Sequence, residues 1–129
     1  FHHEATSHPF EMIKYIREND KMAGVALDPA TPVQSIAHYL HAVDAVLLVT
    51  VCVGFGGQAY IDEMDAKVEE LVGLRREKGL NFEIQVDGGL TPENARAKHE
   101  LGVDTLVAGS MLFKSPDVRQ LVRQLKGEC

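Results

Sequence analysis

With 129 residues and 45% hydrophobic content, the chain has the size and composition of one ordinary soluble globular domain. Its 13 Lys+Arg against 19 Asp+Glu leave a net charge of -6, and no clustered basic surface of the kind that binds a phosphate backbone is expected, so nucleic acid is not an expected partner. The longest apolar run, residues 45–53 with Thr50 inside it, is about half of the roughly 20 residues needed to cross a bilayer, which makes it a buried strand and the membrane no expected partner either.

The chain opens on Phe1-His2-His3-Glu4, without an initiator Met and without an apolar signal segment, and reads as a start made by a cut inside a larger protein. Of two adjacent strand residues such as His2 and His3, one points to each side of a sheet, so either is a candidate ligand. Met12, Ile13 and Ile16 then show helical spacing, followed by a strand-like run over residues 22–27. Thr31-Pro32 places a hydroxyl cap before a proline, and Val33, Ile36, Ala37 and Leu40 predict a helix behind it. A second strand is predicted over residues 45–51, then a loop containing Gly54-Phe55-Gly56-Gly57, then a helix carrying Val68, Leu71, Val72 and Leu74 that should end near Gly79.

The third strand, residues 82–86, runs into Asp87-Gly88-Gly89. Asp-Gly alone signals a hairpin, but Thr91-Pro92 opens a helix here instead of a returning strand. The apolar periodicity of residues 95–101 is weak, and Gly102 is where that helix should stop. A fourth strand over residues 105–108 leads to Gly109-Ser110, after which Ser115-Pro116 is predicted to cap a last helix bearing Val118, Leu121, Val122 and Leu125.

Alternating strands and helices predict a single domain over residues 1–129 built of consecutive βα units on a parallel sheet. Both the closed barrel and the open doubly wound sheet share this rhythm. Glycine-rich or acidic segments at three successive strand ends favour the barrel, where several strand ends converge on one site.

Several segments can carry chemistry. The three glycines after residue 53 free backbone N–H groups to approach an anion, although the loop matches neither a Walker A nor a dinucleotide fingerprint. Asp87 falls at the carboxyl rim of its strand, where barrel enzymes place acids and bases, and Gly89, Gly109 and Ser110 fall where such barrels hold a phosphate. His8, His38, His41 and His99 have no carboxylates at ligand spacing and read as structural. Cys52 reads as a small filler, and Cys52 with Cys129 forms no disulfide framework or zinc spacing, consistent with a reducing, cytoplasmic compartment.

Five ordered segments resemble the ribulose-phosphate 3-epimerase family: Phe1-His2-His3-Glu4-Ala5-Thr6, Gly24-Val25-Ala26-Leu27-Asp28-Pro29-Ala30-Thr31, Gly54-Phe55-Gly56-Gly57-Gln58, Val86-Asp87-Gly88-Gly89 and Val107-Ala108-Gly109-Ser110. The resemblance implies an α/β fold of the (β/α)8 TIM-barrel type, represented here by its C-terminal five-eighths, about strands four to eight. It implies metal-dependent epimerisation at C3 of a ketose phosphate through an enediolate. The substrate would be D-ribulose 5-phosphate or, in close relatives, D-allulose 6-phosphate. By resemblance His2 and Asp87 are ligands of one divalent metal (Zn, Fe, Mn or Co), and Asp87 is one of two acid/base groups. Substrate contacts fall to His2, Gly54, Phe55, Gly56, Gly57, Asp87, Gly88, Gly89, Gly109 and Ser110. No organic cofactor is implied, and the intact parent would be a homo-oligomer.

Cys52-Val53 departs from the polar-Pro pair that the family usually has before its glycine loop. The larger departure is that the family's first three strands, with a second-strand metal-binding His, the partner aspartate and a first-strand serine, have no counterpart here. The isolated chain is therefore expected to be inactive. A different class of reading, a non-catalytic phosphate-binding half-barrel complete at this length, would be dismissed by an upstream reading frame of about 70 more residues.

Overall fold

The computed structural model describes residues 1–128. Four parallel strands form one sheet in sequence order: β1 (Gly24–Leu27), β2 (Ala45–Val49), β3 (Glu83–Asp87) and β4 (Thr105–Val107). The helices are α1 (Pro9–Glu18), α2 (Met64–Glu77), α3 (Pro92–Leu101), the short α4 (Ser110–Lys114) and α5 (Val118–Leu125). Each of the four strands predicted from residue 22 onward exists, with ends shifted by up to two residues.

Period-two alternation decides which residues face the helices. In β2 and β3, Val46, Leu48, Ile84 and Val86 are fully buried, whereas Ala45, Leu47, Val49, Glu83, Gln85 and Asp87 lie on the other, partly open face. The buried face packs with Val68 and Leu71 of α2 and with Val33, Ile36, Tyr39 and Leu40 into one core. Register puts Val49, Asp87 and Val107 side by side, so the acid stands in a row of apolar neighbours at the carboxyl end of the sheet.

Three expectations are corrected. The segment carrying Val33, Ile36, Ala37 and Leu40 forms two 3-10 turns, Val33–Ile36 and Leu40–Ala42, instead of an α-helix. Its apolar residues are buried as predicted, but the Thr31 hydroxyl is drawn away from capping to donate to Glu4. Ser115 does not cap α5; Asp117 does, accepting from the Gln120 N–H at 2.9 Å, while the Ser115 hydroxyl accepts from the Asp117 N–H. The predicted strand at His2 is a single parallel bridge, His2 with Ala26, held where the Ala26 N–H donates to Phe1 O at 2.8 Å, and the chain turns at once into a 3-10 turn.

The α3 segment, weak in periodicity, is firmly begun. Thr91 accepts from the Asn94 N–H and the Asn94 side chain accepts from the Thr91 N–H, a reciprocal capping box with Pro92 behind it. Gly102 ends it in the left-handed region at φ 109°. Among the described residues no helix is long and apolar enough to cross a membrane. Cys52 is exposed and free, and Cys129 lies outside the described residues.

Candidate active site

Beyond the carboxyl ends of the strands lies an open cavity of about 770 Å³ lined by His2, Val49, residues 51–59, Asp87, Gly88, Gly89, Thr91, Gly109 and Ser110. Every residue selected from the sequence as a substrate contact is on that wall. The fold brings them together because parallel strands all present their carboxyl ends to the same side.

Asp87 is fixed through its backbone. Thr50, fully buried, donates its N–H to Asp87 O at 2.9 Å and its hydroxyl to Asp87 O at 2.9 Å and Gly88 O at 2.7 Å. A hydroxyl in the middle of an apolar run was the available signal for this role, and the sequence reading passed over it. Gly89 is required by close approach: at φ 68°, a Cβ there would lie 2.0 Å from Tyr60 N. The glycine loop is braced by Gln58, whose Nε2 donates to Cys52 O at 2.6 Å and Phe55 O at 2.7 Å, leaving Phe55 exposed at the tip.

His2 and His3 separate, His2 in the bridge to Ala26 and His3 as the first residue of the 3-10 turn. His2 lines the cavity, while His3 Nδ1 meets the buried Tyr39 hydroxyl at 2.7 Å. Burial, then the Glu4 charge, pushes the Tyr39 phenol up to about 12. His2 Nδ1 lies 3.2 Å from Asp28 Oδ1 and 3.6 Å from Glu4 Oε2. Asp28 Oδ1 is shielded from water yet makes no well-aligned hydrogen bond. Partial burial pushes the Glu4 carboxyl up, but hydrogen bonds from Thr31 and the Asp28 N–H outweigh it and hold it below its usual value. One donor atom each from His2, Glu4 and Asp28 falls within 4.8 Å of the others. The sequence reading had His2 but not the two carboxylates, whose proximity depends on the 3-10 turn folding Glu4 back over the end of β1.

Four parallel strands with ligand-type side chains gathered beyond their carboxyl ends define an α/β domain whose candidate site lies on the loops that follow the strands. The Ribulose-phosphate 3 epimerase family matches residues 1–113. The chain is 40% identical over 127 residues to the ribulose-phosphate 3-epimerase of Bacillus subtilis, covering 98% of this chain and 58% of that protein. It is 40% identical over 126 residues to that of Methanocaldococcus jannaschii, covering 98% and 54%. To the chloroplastic ribulose-5-phosphate-3-epimerase of Arabidopsis thaliana it is 39% identical over 123 residues, covering 95% and 44%. The chain belongs to the ribulose-phosphate 3-epimerase family, and it spans about half the length of the curated relatives it matches.

Proposed function

We propose that the polypeptide carrying this chain is a metal-dependent ketose-phosphate 3-epimerase acting on D-ribulose 5-phosphate, and that the chain forms the C-terminal five-eighths of its (β/α)8 barrel. The observation that carries the proposal is the convergence of His2, Asp87, the glycine loop and the Gly89, Gly109 and Ser110 segments on one cavity. Names of relatives support the substrate class.

Epimerisation at C3 removes the proton beside the ketone and returns one to the opposite face, with no net redox change. Two acid/base groups on opposite faces serve it. Asp87 is one: its carboxylate takes the C3 proton in one direction of reaction and gives it back in the other. The second acid/base group belongs to the barrel's other strands, so this chain alone lacks turnover. Backbone N–H groups of Gly89, Gly109 and Ser110 suit a phosphate, and the glycine loop with Phe55 at its tip covers the sugar and excludes water.

The donor set fits a divalent cation. His2 and Asp87 share the cavity wall, His2 stands in a nitrogen and oxygen donor group with Glu4 and Asp28, and Asp28 Oδ1 lacks an aligned hydrogen bond. His2 and Asp87 would hold it, completed by ligands from the other strands. When bound, it stabilises the negative charge that develops on the substrate oxygens between the two proton transfers. The reading includes a cytoplasmic setting and a homo-oligomeric parent.

The test is turnover by the full-length parent with added divalent metal, on D-ribulose 5-phosphate beside D-allulose 6-phosphate. Preference for the hexose phosphate moves the substrate to the family's relative, for which the Cys52-Val53 departure leaves room. No turnover of either supports a non-catalytic phosphate-binding protein. In an active parent, Asp87→Asn should lower kcat/KM by about a thousandfold or more, as loss of a proton-transfer group implies. Turnover close to that of the unaltered enzyme would remove Asp87 from its role.

A further inference from the structure

Three side chains outside the cavity lining meet behind the root of the glycine loop. Lys98 of α3, at 5% side-chain exposure, donates from Nζ to both carboxylate oxygens of Asp65 in α2, at 2.7 and 2.8 Å. The Tyr60 hydroxyl donates to Asp65 Oδ1 at 2.8 Å, and the Lys98 ammonium lies 4.0 Å from the centre of the Tyr60 ring. Burial first, and then Asp65, pushes the Tyr60 phenol above its usual range, which keeps it a neutral donor.

With Lys98 buried and the Asp65 side chain 37% exposed, the ion pair is by itself weak evidence for stability. What this one does is fix an orientation. Asp65, held on both oxygens by Lys98, gives Tyr60 a single acceptor in a single place. Tyr60 stands where the loop after β2 returns toward α2, and its backbone presses on Gly89, where a Cβ would lie 2.0 Å from Tyr60 N. The next residue closes the loop: the Ile61 N–H donates to Thr50 O at 2.9 Å, and Thr50 holds the carbonyls of Asp87 and Gly88. The placement of Tyr60 is thus passed to both rims of the cavity.

We infer that Lys98, Asp65 and Tyr60 are positioning residues that set the seat of the glycine loop on Gly89 and so the fit of the cavity around its phosphorylated ligand. The inference rests on the epimerase reading for the identity of that ligand, and not for the coupling of the triad to the loop.

Tyr60→Phe in the full-length parent keeps the ring and its contact with the ammonium and removes only the hydroxyl. Exchange of the Ile61 amide should accelerate about tenfold, as loss of a hydrogen bond to a charged acceptor implies. The Asp104 amide, which donates to Ile84 O at 2.9 Å within the sheet, should keep its rate. Asp65→Asn, which leaves Tyr60 an uncharged acceptor and the buried Lys98 ammonium without its counter-charge, should also accelerate Ile61 exchange. KM for D-ribulose 5-phosphate should rise severalfold in Tyr60→Phe with kcat within about twofold, the pattern of weakened ground-state and transition-state binding alike. Unchanged Ile61 exchange, or an acceleration shared by Asp104, overturns the coupling, and an unchanged KM overturns its effect on the ligand. Because exchange is read without substrate, a parent that turns over no sugar phosphate would sink the epimerase reading while the triad was still judged.

Discussion

At the scale of single residues, the site is governed by backbone approach and by hydrogen bonds to carboxylates. Gly89 has no room for a side chain: its would-be Cβ meets the Tyr60 N and Cα and the Ala59 carbonyl carbon, all main-chain atoms that cannot swing aside. Gly89→Ala should therefore cost about 3 kcal/mol, from the left-handed backbone and the forced displacement together, measured by denaturant unfolding; a cost under 1 kcal/mol would mean the contact is soft. Glu4 sets an acid limit. Its folded pKa lies below the 4.5 of an unperturbed glutamate, so its ionised form adds stability above that value, and the contribution is lost as pH falls through the lowered folded pKa. The unfolding midpoint should drop as the pH is taken below about 4.5, and Glu4→Gln should flatten part of the drop. Superimposable profiles would show that the Thr31 and Asp28 hydrogen bonds to Glu4 contribute nothing net.

At the scale of elements, the helices differ in what begins them. α3 has little apolar periodicity, yet its capping box ties Thr91 to Asn94, and Asn94 Nδ2 also donates to Gly89 O at 3.1 Å, so the same device that starts the helix steadies the cavity rim. Thr91→Ala should lower unfolding free energy by about 1 kcal/mol, and a change within measurement error would show that Pro92 and Asn94 suffice. At the opposite ends of the strands a second device recurs. Asp44 accepts from the Ala23 N–H at 2.7 Å and is paired with Arg17, while Asp104 accepts from the Ile84 N–H at 2.8 Å and is paired with Arg75. An aspartate just before a strand thus binds the start of the strand preceding it, paired with an arginine from the helix that leads into that earlier strand. These pairs hold the floor of the sheet, opposite the end where the glycines and Asp87 line the cavity.

At the scale of the whole molecule, the sheet is open at both sides. Among the described residues, the outer edge of β1 is met by Phe1 and the single His2 bridge, and β4 has no partner beyond β3. Val107 on β4 is 38% exposed and Phe113 just after it 92% exposed. Unpaired N–H and C=O groups beside apolar side chains are a template for association. The chain by itself should self-associate with rising concentration, and Val107→Lys should suppress that association in sedimentation or light scattering. Equal behaviour of the two would mean that contacts elsewhere govern it. In the proposed full barrel these edges would be closed by the remaining strands.

The sequence by itself determined the order of strands and helices and the family, because apolar strand runs, strand-end glycines and motif order are local or nearly local signals. Only the tertiary structure decided the rest. Two 3-10 turns replace a helix, and the Thr31 hydroxyl is held by Glu4, 27 positions away, instead of capping. Thr50 becomes the clamp on Asp87 across 37 positions, and Lys98 meets Asp65 across 33. Such partners are chosen by which strand ends and helix faces the fold brings within hydrogen-bond reach, and no spacing along the chain encodes that distance.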